Sequence, residues 1–214
     1  MKKILIQKFG GTSVADTARI KKAAKRIVGA YRKGSDIAVV ISALGKTTDR
    51  LEALSREITL SPSRREMDML LSTGEQVSTA LMAMAIHDLG VDAVSLTGFQ
   101  VGIRTDSSHT RARIQNIRRE RILAEFQKKR VVVVAGFQGM NPADEITTLG
   151  RGGSDLTAVA LACTLKAQAC EIYTDVDGIY STDPRIFKGA KKMSRISYEE
   201  MLELASSGAK VMHS

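Results

Sequence analysis

The run VVVVAGF at residues 131–137 carries no polar side chain on either face. A strand alternates its side chains between two faces, so a strand that is apolar throughout must be covered on both. IAVVIS (37–42) has the same character. Residues 3–7, VDAVSL (91–96) and ACEIYTDV (169–176) read as further strands. Helical spacing of apolar residues fills the gaps. Residues 18–32 place Ile20, Ala23, Ala24, Ile27 and Ala30 or Tyr31 on one face. Helices are also predicted over 51–59, 66–89 with an interruption at Gly74, 118–129, and 154–166 with Ser154 as its cap. The last spans 197–205, where Ser197 and Glu200 form a capping-box pattern. Apolar strands alternating with helices predict an α/β fold with a mainly parallel sheet. No Pro/Gly/Ser-rich linker or internal repeat divides the chain, so one domain is the simplest expectation.

Composition narrows the function classes. The net charge is +9, from 32 basic and 23 acidic residues, which suits a polyanion or an anionic substrate. The basic clusters Arg111–Arg130 and Arg19–Arg26 fall on or beside amphipathic helices, and read as solvated faces. With aromatics at 4% and no Trp, few residues could stack on nucleic-acid bases, and the core must be mostly aliphatic. Cys163 and Cys170 form no CxxC and read as small buried residues in a reducing compartment. No apolar run reaches membrane-spanning length and no signal peptide is evident, so a cytoplasmic protein is expected.

Ligands of such sheets sit beyond the carboxyl ends of the strands. KFGGTS (8–13) follows the first strand. Gly10 and Gly11 let the backbone approach an anion, a following helix start adds free N–H groups, and Lys8 can point its ammonium at the same place. A tight turn with a solvated lysine is the plainer alternative. LGRGGSD (149–155) is a second glycine pair at a helix start. Arg151 can hold a carboxylate or phosphate in two-pronged fashion, and Asp155 can orient a lysine or a metal. Two such loops in one chain can flank a polyphosphate. TDVDGIYSTDPR (174–185) is a long polar loop at a strand end. Its Asp spacing is not that of a calcium loop, since the twelfth-position Glu is missing; a nucleotide-binding loop with Tyr180 against the base fits better, and an ordinary surface turn around Asp177-Gly178 is the plainer alternative. Glu75 lies near the apolar stripe of its helix beside Gly74. A buried carboxylate there wants a partner, and a substrate amine would serve; a solvated edge position is the alternative. His87, His109 and His213 form no constellation and read as surface or packing residues. Met67, Met69, Met82 and Met84 read as core filler.

The segments KFGGTSV, SALGKTTD, LLSTGEQVS, VAGFQG, TTLGRGGSDLTAVALA, EIYTDVDGIYSTDPR and SYEEMLELASSGAKVMH occur in the order found in aspartokinases, and the sequence resembles their catalytic domain over nearly its whole length. The resemblance implies the amino-acid-kinase fold, a three-layer α/β/α sandwich around a mainly parallel sheet. It implies transfer of the γ-phosphoryl group of ATP, with Mg²⁺, to the β-carboxylate of L-aspartate, the first step towards lysine, threonine and methionine. It assigns Lys8 and Asp155 to catalysis, with Asp155 orienting Lys8. It assigns the nucleotide to Lys8, Phe9, Gly10, Gly11, Ser42, Thr174, Asp175, Tyr180, Ser181, Thr182, Asp183, Pro184 and Arg185. It assigns L-aspartate to Thr47, Thr48, Glu75, Arg151, Gly152, Gly153 and Ser154, with Glu75 at the amine and Arg151 at a carboxylate. No protein ligand set for the metal is implied, since Mg²⁺ travels mainly on ATP and water. Neither nucleic acid nor membrane is an expected partner; a homodimer or regulatory-subunit contact in the intact enzyme is. Family members continue beyond GAKVMH into a further helix and strand and two ACT domains. The expectation is therefore a catalytic domain over 1–214, truncated at its C-terminus, with an open sheet edge, weakened activity and no feedback inhibition. A related kinase acting on glutamate, N-acetylglutamate or carbamate is the nearest alternative, and a basic nucleic-acid-binding module is the alternative from another class.

Overall fold

A computed structural model describes residues 2–176, 178–182 and 186–206. They fall into two compact units, Met1–Tyr173 and Thr174–Ser214.

The first unit is built on five parallel strands: β1 (Ile4–Phe9), β2 (Asp36–Ile41), β3 (Ala93–Leu96), β6 (Val131–Ala135) and β9 (Ala169–Tyr173). Their spatial order is β3-β6-β2-β1-β9, every neighbouring pair being parallel. Alternation along these strands divides the core in two. Phe9, Ile37, Val39, Ile41, Val131 and Val133 face α1 (Thr17–Arg32) and α3 (Arg64–His87). Ile6, Ala38, Val40, Val132 and Val134 face the opposite way, towards α4 (Glu120–Gln127) and α5 (Gly153–Leu165). Each fully buried Val or Ile contributes about 2 kcal/mol of transfer free energy, so both helical layers are held by the same strands. The result is helix, sheet, helix, as expected for an α/β chain with doubly apolar strands.

A second sheet was not legible in the sequence. It comprises β4 (Ile103–Thr105), β5 (Ile114–Ile117), β7 (Gln138–Met140) and β8 (Ile146–Thr148), in the order β5-β4-β7-β8. Its strands have three or four residues, too few for a readable period.

Other boundaries moved for local reasons. The glycines of KFGGTS lead first into a 3₁₀ turn (Gly11–Val14), and α1 starts only at Thr17, where Asp16 accepts the Arg19 N–H at 2.8 Å. The helix α3 runs unbroken through Gly74. Ser154 is not the cap of α5: Gly152 holds that position at φ 74°, and the Ser154 side chain is buried. Cys163 is exposed and Cys170 half-buried, so only the second approaches the expected buried role. Of the methionines, Met82 is fully buried, whereas Met69 and Met84 lie on the outer face of α3.

The second unit holds an antiparallel bridge, Tyr180 with Lys192, and α6 (Tyr198–Ser206). Both halves of the expected capping box form, the Ser197 N–H donating to Glu200 Oε2 and the Glu200 N–H to Ser197 Oγ. No helix among the described residues is long and apolar enough to cross a membrane.

Candidate active site

Adjacent parallel strands end together, so the carboxyl ends of β1, β2, β6 and β9 bring their following loops to one edge. The helices that follow β1 and β2 cover one face and those that follow β3 and β6 the other, so the chain's winding changes side between β2 and β6, beside β1. That is where ligands of open α/β sheets bind.

Lys8 is the penultimate residue of β1 and points to the α5 face. Its Nζ stands 2.8 Å from Oδ1 of Asp155, in the first turn of α5. The pair spans 147 residues of sequence and is largely shielded, with the lysine side chain 9% and the aspartate side chain 21% exposed. At that separation the ammonium and the carboxylate form a close ion pair. A Cβ on Gly10 would lie 3.6 Å from that ammonium, so the missing side chain keeps its approach clear. Gly11 is required by a closer contact: a Cβ there would come within 2.9 Å of the Ala43 carbonyl oxygen and 3.2 Å of that of Gly45. The Gly45 N–H donates to the Gly11 carbonyl at 3.1 Å, tying the loop after β2 to the loop after β1. Phe9 stacks on Tyr173 at the end of β9, with ring centroids 4.6 Å apart, and the Gly10 N–H donates to the Tyr173 carbonyl.

The loop after β2 meets α3. Gly74 permits this, because a Cβ on it would lie 3.0 Å from Ala43 Cβ and 3.6 Å from Thr47 Cγ2. The neighbouring Glu75 is buried, so its solvated alternative is excluded. Its Oε1 accepts the Ala43 N–H at 3.1 Å, while Oε2 is buried without a partner among the described residues. Desolvation pushes its carboxyl up to about 7. Ser42 and α3 are joined by Ser78 Oγ, which donates to the Ser42 carbonyl at 2.8 Å. Thr47 and Thr48 open α2 (Thr47–Ile58) and are half-buried.

On the other flank, β8 leads into the Gly150–Gly153 turn. Gly153 and Ser154 are buried, Gly152 is half-buried, and Arg151 is exposed at the turn's tip. Ser154 packs below Gly136, where a Cβ would come within 2.7 Å of Ser154 Oγ. Residues 8–11, 42, 47, 75 and 155 thus gather through direct contacts with common neighbours. Thr174, Asp175, Tyr180, Ser181 and Thr182 belong to the second unit and are described only within it: Thr174 Oγ1 donates to Asp175 Oδ1 at 3.1 Å, and Ser181 Oγ accepts the Lys191 N–H. Asp183, Pro184 and Arg185 lie outside the described residues, as does His213.

One constellation escaped the sequence. His109, read there as lone, has carboxylates at both ring nitrogens: Asp68 at 2.7 Å from Nδ1 and Glu145 at 3.3 Å from Nε2. The partners lie 41 and 36 residues away, beyond local pattern. A signal was present in Asp68, an acid in helical register with the core residues Leu71, Glu75 and Met82.

The model of the amino acid kinase family matches residues 3–214. The chain belongs to the amino acid kinase family. It is 58% identical over 210 residues to an aspartokinase of Geobacillus stearothermophilus, covering 98% of this chain and 52% of that protein. It is 55% identical to aspartokinase 2 of Bacillus subtilis, with the same coverage. The chain spans about half the length of the curated relatives it matches. Among solved structures, the aspartate kinase of Synechocystis superposes with a TM-score of 0.87 at 51% identity, over 98% of this chain and 34% of that one. Aspartokinase III of E. coli, in complex with aspartate and ADP, superposes with a TM-score of 0.89 at 30% identity, over 99% of this chain and 58% of that one. The three-layer α/β fold expected from the sequence is the fold of these kinases.

Proposed function

We propose that the chain is the catalytic part of an aspartokinase, which moves the γ-phosphoryl group of ATP to the β-carboxylate of L-aspartate. The observation that carries this is the largely shielded Lys8–Asp155 pair set against two glycine turns at converging strand ends. Phosphoryl transfer asks mainly for positioning and for positive charge near the moving group. The Lys8 ammonium, oriented by Asp155, supplies that charge, and Gly10 and Gly11 leave room for phosphate oxygens against the backbone. The bond from the γ-phosphorus to the bridging oxygen breaks as the aspartate carboxylate oxygen attacks, and ADP leaves. The nucleophile is already ionised at neutral pH, so no general base is needed.

Glu75 supplies the amine site. Its unpaired buried Oε2 is completed by an ammonium, which a free amino acid carries and an N-acetylated one does not. Arg151, exposed at the loop tip, takes a substrate carboxylate. Ser42, Thr47, Thr48 and the turn Gly152–Ser154 complete the substrate and phosphate surroundings. The nucleotide contacts of residues 174–185 rest on the resemblance to aspartokinases. Among the described residues no group of three or more His, Cys, Asp or Glu is placed to hold a metal. By the resemblance to aspartokinases, Mg²⁺ would enter on the nucleotide's phosphates with water, and no step is assigned to it. The solved complex of the E. coli relative with aspartate and ADP supports both substrate classes. Further domains in the intact protein, a homodimer and a cytoplasmic location go with this reading.

The test is trapping of acyl phosphate by hydroxylamine with ATP, Mg²⁺ and L-aspartate, beside Lys8→Ala. Glutamate, N-acetylglutamate and carbamate are competing substrates. Product from aspartate that vanishes in the variant supports the reading; product from one of the others and none from aspartate would falsify it.

A further inference from the structure

The clamp around Asp68 joins the two ends of the amino-acid site. Asp68 is completely buried on α3, seven residues before Glu75 and so two turns, about 10 Å, along the same face. Its Oδ1 accepts from Thr148 Oγ1 at 2.5 Å and from the Thr110 N–H at 3.0 Å, and its Oδ2 faces His109 Nδ1 at 2.7 Å. Thr148 ends β8, three residues before Arg151, and is itself completely buried. Its carbonyl accepts the Ala112 N–H, and the next residue, Leu149, donates its N–H to the Phe137 carbonyl. The carboxylate thus grips the last residue of the strand from which the Arg151 turn departs.

The opposite end of α3 is fixed independently, by Glu75 to the Ala43 N–H and by Ser78 to the Ser42 carbonyl. Between the two anchors Gln138 Nε2 donates to the Ser72 carbonyl at 2.8 Å. The helix is therefore a rigid link from the Glu75 pocket to the small sheet carrying Arg151. A buried carboxylate is a costly way to fill such a cleft, since an apolar side chain would pack there at less cost in desolvation. What a carboxylate adds is direction: it fixes one oxygen of Thr148 rather than a volume.

We propose that Asp68, through Thr148, is a positioning residue that sets Arg151 against Glu75 and thereby the binding of the amino acid, not of the nucleotide. The inference rests on the aspartokinase reading. A misplacement of about 1 Å in such a pair can weaken productive binding by one to two orders of magnitude.

The variants are Thr148→Val, which keeps the shape and removes the hydroxyl, and Thr148→Ser, which restores it. Steady-state kinetics with aspartate and ATP are measured with amide hydrogen exchange of residues 149–154 against β6 as internal reference. The expected result is an aspartate KM at least tenfold higher in Thr148→Val, an ATP KM within twofold of the wild type, and recovery in Thr148→Ser. Exchange at 149–154 should quicken at least tenfold in Thr148→Val alone, with β6 unchanged. An unchanged aspartate KM, a parallel rise of both KM values, or a loss confined to kcat overturns the proposal. Wild-type protein that phosphorylates no aspartate refutes the functional reading instead. The exchange arm then still decides the clamp: acceleration supports it, and unchanged exchange at 149–154 overturns it.

Discussion

Glu75→Gln isolates the energetic consequence of burying an unpaired carboxyl. In the folded protein the group titrates at about 7 against an ordinary value of 4.5, and the cause is desolvation, only partly offset by the Ala43 N–H. At about 1.4 kcal/mol per pH unit, that interval is worth about 3 kcal/mol. The sign follows from proton linkage. A carboxyl whose folded value is raised binds its proton more tightly when folded, so it favours folding below pH 4.5 and loses that contribution as pH rises to 7. Glutamine copies the neutral form: its carbonyl oxygen can accept the Ala43 N–H, and its amide stands where a protonated Oε2 would. Denaturant unfolding of both proteins at half-unit steps from pH 4 to 8.5 gives the difference in stability directly. The variant should gain on the wild type by about 1.4 kcal/mol per unit between pH 4.5 and 7, then hold level, whatever the constant offset at low pH. A difference flat across that window refutes the reasoning, because Glu75 would then titrate as if in water.

The same carboxyl ought to govern substrate binding: an amine that pairs with its charged form makes the aspartate KM fall with rising pH below about 7 and level off above it, and Glu75→Gln should flatten the profile while raising KM. An aspartate KM that stays constant from pH 6 to 8 in the wild type would sink the amine assignment. Lys8→Met should cut acyl-phosphate formation at least about a thousandfold while costing at most about 3 kcal/mol, since the Asp155 it leaves is partly solvated; activity within tenfold of wild type would remove Lys8 from the chemistry. Gly11→Ala places a Cβ 2.9 Å from a backbone carbonyl that cannot swing away, so it should destabilise by about 1–3 kcal/mol and impair turnover. Unaltered melting and kinetics would show that the two loops are looser than this contact implies.

Much of the candidate site was legible because its residues are marked by local chemistry. Lys8, Gly10 and Gly11 follow a strand, Arg151 and Asp155 flank a helix start, and Glu75 sits on a core-facing stripe beside a glycine; each signal is complete within a few residues. The second sheet was not legible, because three-residue strands have no period and owe their shape to pairing with segments tens of residues away. Ser154 shows the same limit. Its type and place before a helical run suit a cap, yet packing below Gly136 draws its side chain into the core and leaves the cap to Gly152.

Alternation of apolar and helical patterning by itself determined the layered α/β architecture, since strands such as Val131–Ala135 cannot face water on either side. The order β3-β6-β2-β1-β9, and with it the meeting of Lys8 with Asp155, was decided only in three dimensions. So were the raised proton affinity of Glu75 and the grip of Asp68 on Thr148. Desolvation and charge pairing depend on what surrounds a side chain, and in this protein those surroundings come from residues 32 to 147 positions away.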